Sequence, residues 1–203
     1  HPLRTRRTVD GFPEVLILEN RKGQPGARND YWHSDISHAE RPPAVSILHA
    51  LKVPDGRGDT MFCNMYHAYE ALSTEMREAL RDLRALHSGM ITYTRSLEHN
   101  DARIIDLGEV EPPCSHPVVR THPDTNQRAI YVNRAFTRQI VDMEETASKE
   151  LLEHLWAQAA IPEYQCRFSW SPGSVAFWDN RAAQHYASSD YWPEHREMDR
   201  VTI

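Results

Sequence analysis

The sequence predicts a mainly β chain with flanking helices, folded as a double-stranded β-helix, the jelly roll. Three observations carry this. Short runs rich in Val, Ile, Tyr and Phe recur along the chain, clusters of Pro, Gly, Asp and Asn bound them, and only two stretches place apolar residues at helical spacing. The strand runs are Glu14 to Leu18, Ala44 to Val53, Thr60 to Met65, Met90 to Thr94, Pro117 to Thr121, Ala129 to Val132, Tyr164 to Trp170, Ser174 to Trp178 and Met198 to Ile203. In one of them Tyr164, Cys166, Phe168 and Trp170 alternate with Gln165, Arg167 and Ser169, the pattern of a strand with one buried face. Turn signals at Pro54-Asp55-Gly56, Pro123 to Asn126 and Ser171-Pro172-Gly173 separate such runs.

The helical stretches are Thr74 to His87, with Met76, Leu80, Leu83 and Leu86 on one stripe, and Ala147 to Ala160, with Leu151, Leu152, Leu155, Trp156 and Ala159. Both are expected to cover a sheet face. Residues 95–115 read as a long connection. A jelly roll presents inward-facing side chains around a mouth where a ligand can sit.

Composition bounds the function. With 203 residues, 40% of them hydrophobic, the chain reads as one domain over 1–203 with a sizeable core. It lacks an initial Met and stops inside a strand run, so the domain is expected to be incomplete at the N-terminus. A net charge of -6 with scattered Lys and Arg disfavours nucleic acid. No run approaches the ~18 apolar residues of a membrane span, and the first residues lack a signal peptide's apolar stretch, so the expected location is cytoplasmic. Cys63, Cys114 and Cys166 are odd in number and widely spaced, which suggests buried free thiols rather than disulfides or a zinc cluster.

Two distant segments carry chemistry: Trp32-His33-Ser34-Asp35, and Trp178 to His185 with Arg196 and Arg200 behind it. Residues 33 and 35 project to one side of an extended segment, so an imidazole and a carboxylate can reach one ion. With His185 they make two imidazoles and one carboxylate, the set that holds a non-haem Fe(II) while leaving positions open. Each motif alone is weak in a chain with 12 His. Catalytic zinc also uses three protein ligands, so a hydrolase is an alternative. Asp179 and Arg181 are expected to form a supporting ion pair near His185, and Trp32 to be a packing residue.

The chain resembles the TauD/TfdA-like family of Fe(II)- and 2-oxoglutarate-dependent dioxygenases, of which taurine dioxygenase is a member. The matching segments, in family order from about residue 29 to the end, are Asn29 to Asp35, Gly58-Asp59-Thr60 with Ala68 to Leu72, His116 to Pro123, Tyr131-Val132-Asn133, Gly173 to Arg181, Gln184 to Ala187, and Arg196 with Arg200-Val201-Thr202. The resemblance implies that His33, Asp35 and His185 are the catalytic iron ligands. It implies that Arg196, eleven residues past His185, pairs with the remote carboxylate of 2-oxoglutarate beside the Thr60 hydroxyl. Arg200 would receive the substrate's anionic group, with Asn29, His1 and Tyr131 also contacting substrate. His38 and Tyr131 stand where an aromatic wall is expected, which points away from taurine itself. The implied cofactors are Fe(II), 2-oxoglutarate as cosubstrate and O2, with succinate and CO2 released. The expected partners are a small anionic substrate (a sulfonate, or alternatively an alkyl sulfate or carboxylate) and further copies of the chain in a homo-oligomer, with no nucleic acid and no membrane. A metal-binding protein without oxygenase activity is the alternative from another class. Thr60 and Arg196 speak against the hydrolase, which needs no 2-oxoglutarate anchor, and Asp35 disfavours halogenation by filling the position a halide would need.

Overall fold

The computed structural model describes residues 7–22, 29–90 and 112–203. Its strands are β1 (Thr8–Val9), β2 (Phe12–Asn20), β3 (Val45–Lys52), β4 (Thr60–Asn64), β5 (Arg84–His87), β6 (Cys114–Pro117), β7 (Val119–Thr121), β8 (Arg128–Ile130), β9 (Thr137–Ile140), β10 (Gln165–Phe168), β11 (Val175–Asp179), β12 (Ala183–Ala187) and β13 (Arg196–Thr202). The helices are α1 (Met65–Glu70), α2 (Thr74–Ala79) and α3 (Glu145–Gln158).

Two antiparallel sheets matter for the site. One is ordered β1-β2-β13-β3-β11 and the other β10-β4-β12. Along β13 the side chains of Arg196, Met198, Arg200 and Thr202 are buried while Glu197, Asp199 and Val201 are half-buried, the two-residue period of a strand with one face inward. Met198 packs with Leu48, Ala50, Ala176, Trp178 and Trp170, and Phe62 and Phe168 of the smaller sheet close over them. Burial between the sheets drives this apposition, because each apolar face removes the other from water. A second core forms outside the smaller sheet, where Cys63, Met65, Ala68, Leu80, Ile130, Ile140, Leu152 and Leu155 are buried together. There the sheet β6-β5-β9 and α3 meet, tied by the Ile140 N–H donating to Ser148 Oγ at 2.8 Å. Asn64, Ser73 and Glu144 cap the three helices by accepting from backbone N–H groups of the first turn.

The expected mainly β architecture is present, with corrections. The helix expected over Thr74 to His87 ends at Ala79, and Arg84–His87 is the central strand of β6-β5-β9. Leu80, Leu83 and Leu86 fit a helical stripe, but Ala85 and His87 are wholly buried between two strand partners, and that pairing outweighs local propensity. The helix expected over Ala147 to Ala160 is found as Glu145–Gln158. Of the cysteines only Cys63 is buried, its thiol pushed up to about 12 by desolvation; Cys114 is half-buried and Cys166 exposed. Cys166 escapes because β10 is an edge strand, so the alternation over 164–170 buries Trp170 but not Cys166. Of the expected strand Met90 to Thr94, Met90 is helical rather than extended and residues 91–94 lie outside the described residues, as does most of the connection 95–115. No helix among the described residues is long and apolar enough to cross a membrane.

Candidate metal centre

His33 and His185 are locked together by the backbone. They form an isolated antiparallel bridge in which the His33 N–H donates to the His185 carbonyl at 3.0 Å and the His185 N–H to the His33 carbonyl at 2.8 Å. Their rings sit 4.1 Å apart, centroid to centroid. On β12, His185 pairs with Phe62 of β4, and its ring lies 4.8 Å from that of Trp178. Asp35 is then delivered by a turn. Ser34 Oγ donates to the Ala183 carbonyl at 2.9 Å, and Ile36 follows with φ of +50°, rare for a β-branched residue and costing about 1–3 kcal/mol. The surroundings hold that conformation: Ser37 Oγ accepts from Asn133 Nδ2 at 2.9 Å and meets His87 Nδ1 at 3.2 Å, all three side chains being buried.

One ligand atom from each of His33, Asp35 and His185 lies within 4.8 Å of the others, so these residues could hold a metal ion. Each imidazole Nε2 is 4.0 Å from Asp35 Oδ1. Since metal–ligand bonds are about 2.0–2.2 Å long, donors at that separation can share one ion. Protonation suits the purpose. His33 Nδ1 is 2.8 Å from the Tyr31 carbonyl, which can only accept, so the proton sits on Nδ1 and Nε2 keeps its lone pair. Burial lowers the pKa of His33, and burial with the neighbouring His33 brings His185 down to about 3, so both rings are neutral. Burial alone would raise Asp35, but above all the Arg200 guanidinium, with the Ser46 hydroxyl donating to Oδ2, holds its carboxyl well below the usual carboxylate range. Two neutral imidazoles and one carboxylate, all buried, fit the donor set of a non-haem iron.

Arg196 and Arg200 both turn inward from β13 but meet different surroundings. Arg200 Nη1 donates to Asp35 Oδ1 at 2.9 Å, while its Nε has no partner among the described residues. Arg196 has no carboxylate partner among the described residues: Nη2 reaches the Gly58 carbonyl at 3.5 Å, the guanidinium lies 5.5 Å from the Tyr191 ring, and Nε is unpartnered. Its burial lowers its pKa. A buried guanidinium without an anion is costly, which makes this the natural seat for one. Gly58 has φ of +73°, and a Cβ there would stand 3.1 Å from Tyr191 Cδ1 and 3.2 Å from Arg196 Nε. Two residues on, the buried Thr60 accepts from Trp170 Nε1 at 3.0 Å through its hydroxyl oxygen, which leaves its own proton to donate.

The profile of the family described as "Taurine catabolism dioxygenase TauD, TfdA family" matches residues 1–202. The chain belongs to the TauD/TfdA family. An alpha-ketoglutarate-dependent sulfate ester dioxygenase of Pseudomonas putida is 35% identical over 100% of the chain and 67% of its own length. An alpha-ketoglutarate-dependent sulfonate dioxygenase of Saccharomyces cerevisiae is 35% identical over 84% of the chain and 41% of its own length. The crystal structure of a taurine dioxygenase from Burkholderia xenovorans is similar with a TM-score of 0.79 and 37% identity, covering 96% of the chain and 65% of that protein. The chain thus spans from less than half to about two thirds of the length of these relatives. The jelly roll expected from the sequence is the fold of this TauD/TfdA member.

The remaining expected site residues of this TauD/TfdA chain are placed as follows. The Asn29 carbonyl accepts from Ala187 N at 3.1 Å, and its Oδ1 is 3.5 Å from the Tyr31 hydroxyl, whose ring borders His33 at 5.2 Å. Tyr131 stands one layer away. Its ring stacks on His87 at 5.8 Å, beside His116 and under the Arg120 guanidinium, and burial raises its hydroxyl to about 12. His1 lies outside the described residues. The expected Asp179–Arg181 pair is present, with Arg181 Nη2 2.7 Å from Asp179 Oδ2 and His122 Nε2 2.9 Å from the same oxygen. Sequence reasoning missed Ser46, Tyr191 and the role of Asn180, because a Ser in a strand run, an isolated Tyr and an Asn in a turn carry no signal until their partners are known.

Proposed function

We propose that this chain carries the catalytic centre of an Fe(II)- and 2-oxoglutarate-dependent dioxygenase that oxidises a small organic anion, a sulfonate or sulfate ester. The observation that supports it most is the pairing of a buried His33–Asp35–His185 cluster with a buried Arg196 that has no carboxylate of its own among the described residues. His33, Asp35 and His185 would hold the iron, which supplies the O2 chemistry when bound. The relatives' names add dependence on alpha-ketoglutarate and the two substrate classes.

In this reading the chain's own residues position and select. Arg196 takes the remote carboxylate of 2-oxoglutarate with a bidentate fork, and the Thr60 proton, free because Trp170 already donates to its oxygen, adds a third donor. Arg200 keeps Nη1 on Asp35 and offers its unpartnered Nε and remaining N–H groups to the substrate anion. Asn29 lines the approach from the His33 side; Tyr131 contributes a wall behind His87, and His1 a further substrate contact. A neutral analogue would leave Arg200 underused, which is how such a site rejects it. The deciding experiment is an anaerobic titration of the Fe(II)·2-oxoglutarate complex with sulfonates, sulfate esters and their neutral amide or ester analogues, followed by the visible charge-transfer band and by succinate formation. A band perturbed by charged compounds alone supports the reading. Equal coupling of charged and neutral compounds, or no band, is incompatible with it.

A further inference from the structure

The two oxygens of Asp35 are treated differently by the protein. Oδ1 faces both imidazole Nε2 atoms at 4.0 Å. Oδ2 accepts from Ser46 Oγ at 2.6 Å, and Ser46 Oγ accepts from Asn180 Nδ2 at 2.8 Å. Asn180 Oδ1 takes two donors, the Trp178 indole N–H at 3.0 Å and the Asp35 backbone N–H at 3.2 Å. Every member is buried: Ser46 is 0% exposed and Asn180 2%.

The polarity of this chain of hydrogen bonds is forced. An indole N–H and a backbone N–H can only donate, so the Asn180 amide must present its oxygen to Trp178 and Asp35 and its NH2 to Ser46. That NH2 occupies a lone pair of Ser46, and the single hydroxyl proton is left for Oδ2, which as part of an ionised carboxylate can only accept. Trp178 also lays its ring 4.8 Å from His185, so one tryptophan supports two of the three members of the cluster.

Building on the metal-centre reading above, we propose that Asn180, acting through Ser46, is a positioning residue that fixes Asp35 as a one-oxygen ligand: it ties Oδ2 to Ser46 and turns Oδ1, which also accepts from Arg200 Nη1 at 2.9 Å, towards the metal. Asn180 touches neither metal nor substrate. It lies in the turn between β11 and β12, anchored by its own N–H on the Ala44 carbonyl at 2.8 Å, so the turn that leads into the strand carrying His185 also sets the rotamer of Asp35. Supporting hydrogen bonds of this kind typically change metal affinity by about 10- to 100-fold when removed.

The test is a titration of the metal-free protein with Co(II) alone, read by its visible ligand-field bands, on wild type, Ser46→Ala, Asn180→Asp and the double variant. Ser46→Ala removes one oxygen and the donor to Oδ2. Asn180→Asp keeps the shape but replaces the NH2 by an acceptor, so the Ser46 proton turns towards the new carboxylate and away from Oδ2. Each single variant is expected to weaken Co(II) binding by about 10- to 100-fold with altered bands, and the double variant to be no weaker than the worse single, because both interrupt one chain. Circular dichroism of the metal-free proteins checks the fold, and Ser46→Ala remains decisive if the buried charge of Asn180→Asp prevents folding. Wild-type affinity and unaltered bands in Ser46→Ala would overturn the proposal, as would losses that multiply in the double variant. A wild type that binds no Co(II) would instead remove the metal-centre reading, and this inference with it.

Discussion

Two regions among the described residues bring imidazole and carboxylate ligand atoms within 4.8 Å of one another: His33, Asp35 and His185 between the sheets, and Glu19, His195 and Glu197 on the outer side of β2 and β13. Each offers three imidazole or carboxylate donors, the first two His and one Asp and the second one His and two Glu, and their surroundings differ further. In the first, every residue is buried, the His33 tautomer is fixed by the Tyr31 carbonyl, and one Asp35 oxygen is held by Ser46. In the second, the residues are half-buried, Arg7 and Arg21 both pair with Glu19, and His195 Nε2 rests 3.2 Å from Glu19 Oε1. The contrast teaches that a metal site is made by what orients and desolvates the ligands, and that guanidinium groups on a half-exposed glutamate make it a surface ion-pair network.

The sharpest way to break this comparison is to delete ligands from each region. Asp35→Ala or His185→Ala should cost more metal affinity than the about 10- to 100-fold of a supporting partner, while the His195→Gln/Glu197→Gln double variant should titrate with Co(II) or Mn(II) like wild type. A reversal of that order would assign the metal to the surface cluster.

The next effect concerns the two arginines of β13. Arg196→Ala should weaken 2-oxoglutarate binding by about 2 to 5 kcal/mol, roughly 30-fold to several-thousand-fold, while metal affinity persists. Arg196→Lys should recover part of it, since an ammonium cannot reproduce the planar fork. Isothermal titration of the Mn(II)-loaded protein reads both numbers. Unchanged 2-oxoglutarate affinity would take Arg196 out of the site.

Acid stability separates the interior from the surface more gently. His87 and His185 are brought down to about 3 chiefly by burial, below the ordinary value of about 6.5 that they regain on unfolding. Between those values the unfolded chain binds more protons, so the metal-free protein should lose stability as pH falls through that window, at up to about 1.4 kcal/mol per pH unit for each such His. Asp179, held near 2 against its burial by Arg181 and His122, adds a loss below about pH 4 as its carboxylate is forced to protonate. Urea denaturation of His87→Gln should show a shallower slope between pH 6 and 4. A slope equal to wild type would mean His87 is not kept neutral by the fold.

The smallest expected effect is at Gly58. Ala there meets Tyr191 and Arg196 at 3.1 and 3.2 Å in a left-handed backbone, and should cost roughly 1–2 kcal/mol of stability together with a modest loss of 2-oxoglutarate affinity. Thermal denaturation and the same calorimetric titration test both.

How much was legible differs between fold and site. Most of the strand runs, Met90 to Thr94 excepted, and the helix Glu145–Gln158 follow from periodicity, because apolar spacing reports one buried face directly. The spacing of Leu80, Leu83 and Leu86 reads as helix over Arg84–His87, whereas the strand buries Ala85 and His87, two apart, a face that shows only once β6 and β9 flank it. The strand Ala183–Ala187 was missed altogether. Its Ala-Gln-His-Tyr-Ala lacks a strand composition, and only pairing with β4 makes it one.

The sequence by itself determined the residue types and order: an HxD pair, a distant His, and two arginines four apart on a strand whose alternation turns both inward, since the period of an extended chain is a local property. Only the tertiary structure decided which partners those groups have. The bridge between His33 and His185, Arg200 on Asp35 and Asn180 on Ser46 join residues far apart in the chain, and Arg196 has no carboxylate partner among the described residues. The physical reason is that hydrogen-bond polarity and desolvation depend on distances of a few ångströms between segments, and no local pattern encodes these.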